Sequence, residues 1–242
     1  MLIQNIQYMT SSADGKWVVN TGDILIKDNR IDSIGNFECD ETVEKLDGKG
    51  MLALPGLVNG HQHTPMSLLR CYSDDVTLMT WLNKKMLPLE MKMNDEDRYW
   101  GGLLSMAEMI KSGTTSYADM YIGIDTIGEA AVESGIRSVI ARGLIAMDSD
   151  YEGRLKEAAD VVDRWHGKGD GRITTMIAPH SPYMCPPDFL RAAVNLSKEK
   201  NVPLHIHLAE TKDEEKMIQE KHFLRPVEYL KQAGVFDRHV LL

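Results

Sequence analysis

Apolar and polar residues change rhythm once along the chain. From Met1 to about residue 57 the pattern is that of strands. Ile24-Leu25-Ile26 and Ile31-Asp32-Ser33-Ile34 flank Lys27-Asp28-Asn29-Arg30, whose centre has turn chemistry, and this predicts a hairpin. Gly22, Gly35, Gly48 and Gly50 punctuate the remainder, so residues 1–57 are expected to form a small β unit. Past residue 63 strands and helices alternate. Asp95 is the expected N-cap of a helix in which Tyr99, Leu103, Leu104, Met106, Ala107 and Ile110 recur at helical spacing, closed by Gly113. Strands are expected over 114–120, 136–144, 173–178 and 202–208, with helices over 125–134, 151–165, 187–200, from Thr211 onward, and between Pro226 and Gly234. Thr211-Lys212-Asp213-Glu214 has the form of a capping box. His239-Val240-Leu241-Leu242 reads as the start of one more strand.

Strands alternating with helices of this length imply βα units and a parallel sheet. The polar residues that stand out fall at the C-terminal ends of these strands: His61 and His63, Asp119, Arg142, His180, then His205, His207 and Glu210. A (β/α)8 TIM-type barrel keeps its active site at that end of every strand, whereas an open doubly wound sheet usually uses one crevice. The α/β barrel is therefore the expected fold for residues 58–242. Only five to six βα units can be found, and a complete barrel takes about 250 residues, so the barrel is expected to be incomplete. An unclosed barrel leaves strand edges unpaired, from which association into a homo-oligomer, or pairing with a missing C-terminal half, is expected.

Chemistry enters with the histidines. In a strand, side chains i and i+2 leave the same face, so His61 and His63 can share one metal ion at the end of what reads as a buried strand, Met51 to Val58 leading into it. His205-Ile206-His207 repeats the spacing and is followed by Glu210. The residues alone leave open which member of the second pair binds. Asp119 can be read as a cap and is left outside the site, and the Met-rich stretch from Met79 to Met109 reads first as core filling. Neither H-E-x-x-H nor the H-x-E with P-C-x-x-C pattern occurs.

Composition narrows the remaining classes. With 43% apolar and 26% charged residues over 242 positions, the chain can bury a core. A formal charge of -9, without a basic cluster to offset it, argues against a nucleic-acid surface. Cys39, Cys71 and Cys185 have neither C-x-x-C spacing nor the even count of a disulfide framework, which points to a reducing, cytoplasmic setting. No apolar run approaches the ~18 residues of a membrane span, and the N-terminus lacks the marks of a signal peptide.

Taken in order, PGLVNGHQHTPMSLLR (55–70), WLNKKMLPLE (81–90), GTTSYADMY (113–121), ARGL (141–144), APHSPYMC (178–185) and PLHIHLAET (203–211) resemble the amidohydrolase superfamily, in its branch of 5-methylthioadenosine/S-adenosylhomocysteine deaminases and chlorohydrolases. The resemblance implies an N-terminal β-sandwich formed jointly with C-terminal strands that this sequence does not contain. It implies that His61, His63 and His207 are ligands of one catalytic Zn2+ per subunit, a position that Fe, Mn or Ni could also take. It implies that Glu90, Arg142, His180 and Glu210 contact the substrate, Glu90 at ribose hydroxyls, and that Glu210 shuttles the proton. In that family a further histidine comes from the next strand and an aspartate from the last barrel strand completes the metal site; neither position is within this sequence. The implied reaction is hydrolytic deamination of an adenine nucleoside, namely 5-methylthioadenosine, S-adenosylhomocysteine or adenosine. Bound zinc can lower a water pKa from 15.7 to about 7 for this purpose. Guanine, pterin or triazine rings are the alternative substrates, and a catalytically inactive piece is the alternative of a different class.

Overall fold

The computed structural model of the protein describes residues 1–37, 42–148 and 150–242; Cys39 lies outside the described residues. The chain divides into two compact units, Met1–Gly56 and Leu57–Leu242.

The described residues of the first unit form a five-stranded sheet. β1 (Leu2–Ser11) pairs antiparallel with β2 (Trp17–Lys27), and β2 with β3 (Arg30–Gly35). Lys27 opposes Arg30, so the expected hairpin forms; Asp28 and Asn29 at its tip have φ of 47° and 60°, the left-handed region that these residue types tolerate. β4 (Lys45–Asp47) and β5 (Leu52–Ala53) run parallel to β1. These strands make one layer, and the second layer of a sandwich is not among the described residues.

The second unit is built on parallel strands with helices between them. β6 (Leu57–Gln62), β7 (Thr114–Tyr121) and β8 (Arg137–Leu144) are neighbours in that order. β8 then pairs with β9 (Ile173–Thr175) and β10 (Ala178–Pro179). One continuous strand was expected over 173–178. Thr175 opposes Ile140 and Ala178 opposes Gly143, three residues on along both strands, so the register survives the interruption. Between them Ile177 bonds to the other side: its N–H donates to Pro203 O, and its carbonyl accepts from His205 N, each at 3.0 Å. β11 (Leu204–His205) continues to β12 (Val240–Leu241). The regular ladder of β11 is shorter than the expected 202–208, yet Ile206 N donates to Leu241 O and His207 N to His180 O, which keeps the segment extended through His207.

The strand entering the first histidine pair departs from expectation. Leu57 and Val58 are 61% and 73% exposed, because among the described residues β6 pairs with β7 alone and is an edge of the sheet. It is therefore not a buried strand.

Six longer helices fill the connections: α1 (Asp95–Lys111), α2 (Ile124–Ser134), α3 (Tyr151–Trp165), α4 (Pro187–Lys200), α5 (Lys212–His222) and α6 (Pro226–Gln232). The cap of α1 is Asn94, not Asp95. Asn94 Oδ1 accepts from Asp97 N and the Asp97 carboxylate accepts from Asn94 N, a reciprocal box. Leu104 and Ile110 face outward, and the buried stripe is Gly102, Ser105, Met106 and Met109. Strand parity sorts the core. Ile140 joins Ile127, Ala130 and Ile173 under the helices, while its neighbour Ala141 packs with Met120 and Ala178 on the opposite face of the sheet. No helix among the described residues is long and apolar enough to cross a membrane.

Candidate metal centre and binding cavity

The chain leaves β6 at Gln62 and turns at once into a 3-10 helix, Thr64–Leu69, with Pro65 fixing its first turn. Asp119 holds this corner. It is fully buried on β7 and accepts from Thr64 N at 3.3 Å and from the Thr64 hydroxyl. Burial pushes its carboxyl up to about 7, against the Thr64 donors. From the other side α1 presses in: Ser67 Oγ donates to Gly101 O, and a Cβ on Gly101 would stand 2.7 Å from Pro65 O, so only glycine allows this approach.

His63 therefore sits just past the strand end and His61 within it, but their Nε2 atoms lie 3.3 Å apart. His207 Nε2, from the segment after β11, lies 3.2 Å from His61 Nε2. One ring nitrogen of each of the three lies within 4.8 Å of the others. The outward nitrogens of two are held by backbone: His63 Nδ1 is 2.5 Å from Met120 O and His207 Nδ1 is 2.8 Å from His180 O. A carbonyl only accepts, so each of these rings carries its proton on Nδ1 and turns a lone pair inward. Lost hydration, reinforced by the neighbouring imidazoles, pushes His61 down to about 4 and lowers His63. Neutral rings with converging lone pairs are what a metal cation requires of imidazole ligands.

Two of these rings, His63 and His207, open onto a cavity with about 910 Å³ of empty space including its open mouth. Glu90, His180 and Glu210 line it together with His63 and His207. Glu90 ends a helical segment, Leu78–Glu90, whose middle, Trp81–Met86, is a π-helix. Single-turn π stretches often mark functional positions. This segment brings Leu78, Trp81 and Leu82 to the cavity as an apolar wall and buries Glu90 to 8% exposure beside Tyr121. Burial, then the Glu90 carboxylate, pushes the Tyr121 phenol well above its ordinary range. His180 stacks on His207 with ring centroids 4.5 Å apart; burial, then the His207 ring, lowers it to about 3. Glu210 is exposed at the rim. The turn before it is strained, with Ala209 at φ 54°, and is held by the buried Glu214, whose carboxylate oxygens accept from Ala209 N and Glu210 N at 3.0 Å each. Only half of the expected capping box forms: Thr211 Oγ1 accepts from Glu214 N, and Glu214 turns back to the Ala209–Glu210 turn instead.

Arg142 is not brought to the cavity. It shares the face of Ile140 on β8, toward the helices, and its guanidinium pairs with Glu157 on α3 at 3.1 Å. Its neighbour Gly143 faces the cavity instead. Among the other residues here, Asp119 stood out in the sequence at a strand end but was left outside the site, and Tyr121 and Trp81 were not singled out. The signal for the first two was available, since both lie at the C-terminal end of β7. Trp81 opens the 81–90 motif, but its place on the cavity depends on the π stretch.

A parallel α/β unit with histidines, carboxylates and a cavity at its strand ends has the site placement of an α/β-barrel enzyme. The Amidohydrolase family model matches residues 52–242, and the chain belongs to that family. It is 46% identical over 226 residues to a 5-methylthioadenosine/S-adenosylhomocysteine deaminase of Carboxydothermus hydrogenoformans, covering 92% of this chain and 52% of that protein. Among solved structures it is similar to an adenosine deaminase of Xanthomonas campestris with bound zinc, at TM-score 0.81 and 25% identity, covering 97% of this chain and 55% of the other. It shares the fold of an atrazine chlorohydrolase of Arthrobacter aurescens complexed with zinc, at TM-score 0.87 and 24% identity, covering 99% and 59%. The chain thus spans about half the length of the curated relatives it matches.

Proposed function

We propose that this chain carries the metal and substrate site of a zinc-dependent aminohydrolase that deaminates an adenine nucleoside: 5-methylthioadenosine, S-adenosylhomocysteine or adenosine. The observation that carries the reading is the convergence of His61, His63 and His207 beside a cavity lined by Glu90, His180 and Glu210. The similarity to deaminases of this name supports the substrate class. The parallel βα units are read as part of a (β/α)8 barrel, and residues 1–57 as one layer of a β-sandwich.

The residues fit a zinc ion: three neutral imidazoles are a familiar protein donor set for catalytic zinc. Zinc held there supplies a water acidic enough to ionise near neutral pH. The remaining work falls to the chain. Glu210, at the rim, takes a proton from the attacking water and delivers it to the ring nitrogen next to the reacting carbon, then carries the second proton, from the hydroxyl that has added, to the amino group, which leaves as ammonia. His180, neutral because it is buried against His207, offers a ring nitrogen to the substrate without placing a charge beside the metal ligands. Glu90, buried at the end of the helical segment that forms the apolar wall, accepts from ribose hydroxyls. Trp81, Leu78 and Leu82 receive an apolar 5′ substituent and keep water from the ring. Arg142, held by Glu157, is assigned no part in binding.

The test is a deaminase assay on zinc-loaded protein, both the chain alone and the chain joined to the remaining half that its relatives carry. Loss of adenosine absorbance with stoichiometric ammonia is the expected result. No ammonia from any of the three nucleosides in either form would overturn the reading.

A further inference from the structure

His63 and His207 have their outward nitrogens on backbone carbonyls, but His61 does not. Its Nδ1 lies 2.9 Å from Nε2 of His205, a residue 1% exposed on β11 that the proposed reaction does not use. The two rings meet edge to face, with centroids 5.1 Å apart and planes at 88°. This geometry places the His205 Nε2 edge against the nitrogen of His61 that faces away from the cluster. A metal-ligating histidine almost always hands its second N–H to an acceptor, which fixes the ring and its tautomer. For His63 and His207 that acceptor is peptide oxygen, and for His61 the available atom is an imidazole nitrogen.

We propose that His205 is the positioning residue of His61: neutral His205 accepts the His61 Nδ1–H at its own Nε2, so that His61 turns the Nε2 lone pair toward the metal. The opposite arrangement, with His205 donating, would put the His61 proton on Nε2, 3.2–3.3 Å from the Nε2 atoms of His207 and His63, where the metal must sit. The assignment also settles the His205 tautomer. Its proton lies on Nδ1, an atom that is buried and has no partner among the described residues. This inference rests on the metal site proposed above.

Two measurements on this chain test it. Zinc affinity is determined by competition with a chromophoric chelator for the wild type, His205→Leu and His205→Gln, with circular dichroism to confirm folding. Glutamine can place an amide oxygen where Nε2 stands and leucine cannot. His205→Leu is expected to weaken zinc binding roughly 10–100-fold, the range for lost outer-sphere partners, and His205→Gln to recover most of it. Long-range 15N imidazole spectra of the zinc-loaded wild type, which need no variant, are expected to show His61 and His205 both protonated at Nδ1. A wild type that binds zinc, with His205→Leu unchanged or with His205 protonated at Nε2, overturns this inference alone. A wild type that binds no zinc overturns the metal site as well.

Discussion

Glu214 gives the sharpest energetic test, because its work is confined to one turn. The side chain is fully buried, and its two oxygens each take one backbone N–H, from Ala209 and Glu210. Glu214→Ala leaves both donors without an acceptor. A hydrogen bond to a charged group contributes about 1.5–3 kcal/mol, and relief of the buried carboxylate's desolvation returns part of the two. The left-handed Ala209, costing about 1–2 kcal/mol, is held in place by these bonds and relaxes when they go, which offsets a little more. The expected net loss is about 2–4 kcal/mol. Glu214→Gln keeps one acceptor and should lose about half as much. Urea unfolding at constant m measures both. Zinc affinity is the control. His207 is anchored by its own bond to the His180 carbonyl, so the ligand set should hold while the placement of Glu210 loosens. Losses under about 0.5 kcal/mol, within the range of surface substitutions, would refute the reasoning, as would a glutamine variant equal to wild type.

Two further outcomes follow from the same geometry. His61, His180 and His205 titrate near 4, 3 and 3 in the folded metal-free protein, below the ordinary 6.5, chiefly through burial. For these three groups the unfolded chain binds protons first as pH falls, while Asp119, raised to about 7, works the other way. With three groups against one, the urea midpoint of the metal-free protein should drop from about pH 6.5 toward pH 4; a flat midpoint between pH 6 and 4 would contradict these shifts. Arg142→Met removes a partly exposed ion pair to α3, so it should cost about 0–1 kcal/mol of stability and leave KM for the nucleoside unchanged; a KM raised tenfold would return Arg142 to the substrate.

Much of the architecture was legible because the chain states its periods plainly. The hairpin at Asp28-Asn29 and helices α2 to α4 lie where turn chemistry and apolar spacing put them. The histidine spacing placed His61 and His63 together because strand parity is a local rule, and their Nε2 atoms lie 3.3 Å apart. The same rule, applied to β8, separates Arg142 from Gly143, but only once Ala141 is known to face Met120 and Ala178. Burial of a strand is not a local property. The apolar run into His61 reads as core, and the pairing of β6 with a single neighbour leaves Leu57 and Val58 exposed. Asn94 displaced Asp95 as cap because Asp97 completes its box, a choice between adjacent cap formers that side-chain geometry decides. Glu214 was read from its position as half of a capping box, but the strained Ala209 turn competes for the carboxylate and wins both oxygens.

The most direct test of the account is zinc K-edge X-ray absorption on the chain loaded with one equivalent of zinc. Three imidazole nitrogens at about 2.0–2.1 Å, with no sulfur in the shell, are the result expected of His61, His63 and His207. Fewer than three imidazoles, or a zinc ion held by a cysteine sulfur, would contradict the shared site and with it the reaction built around it.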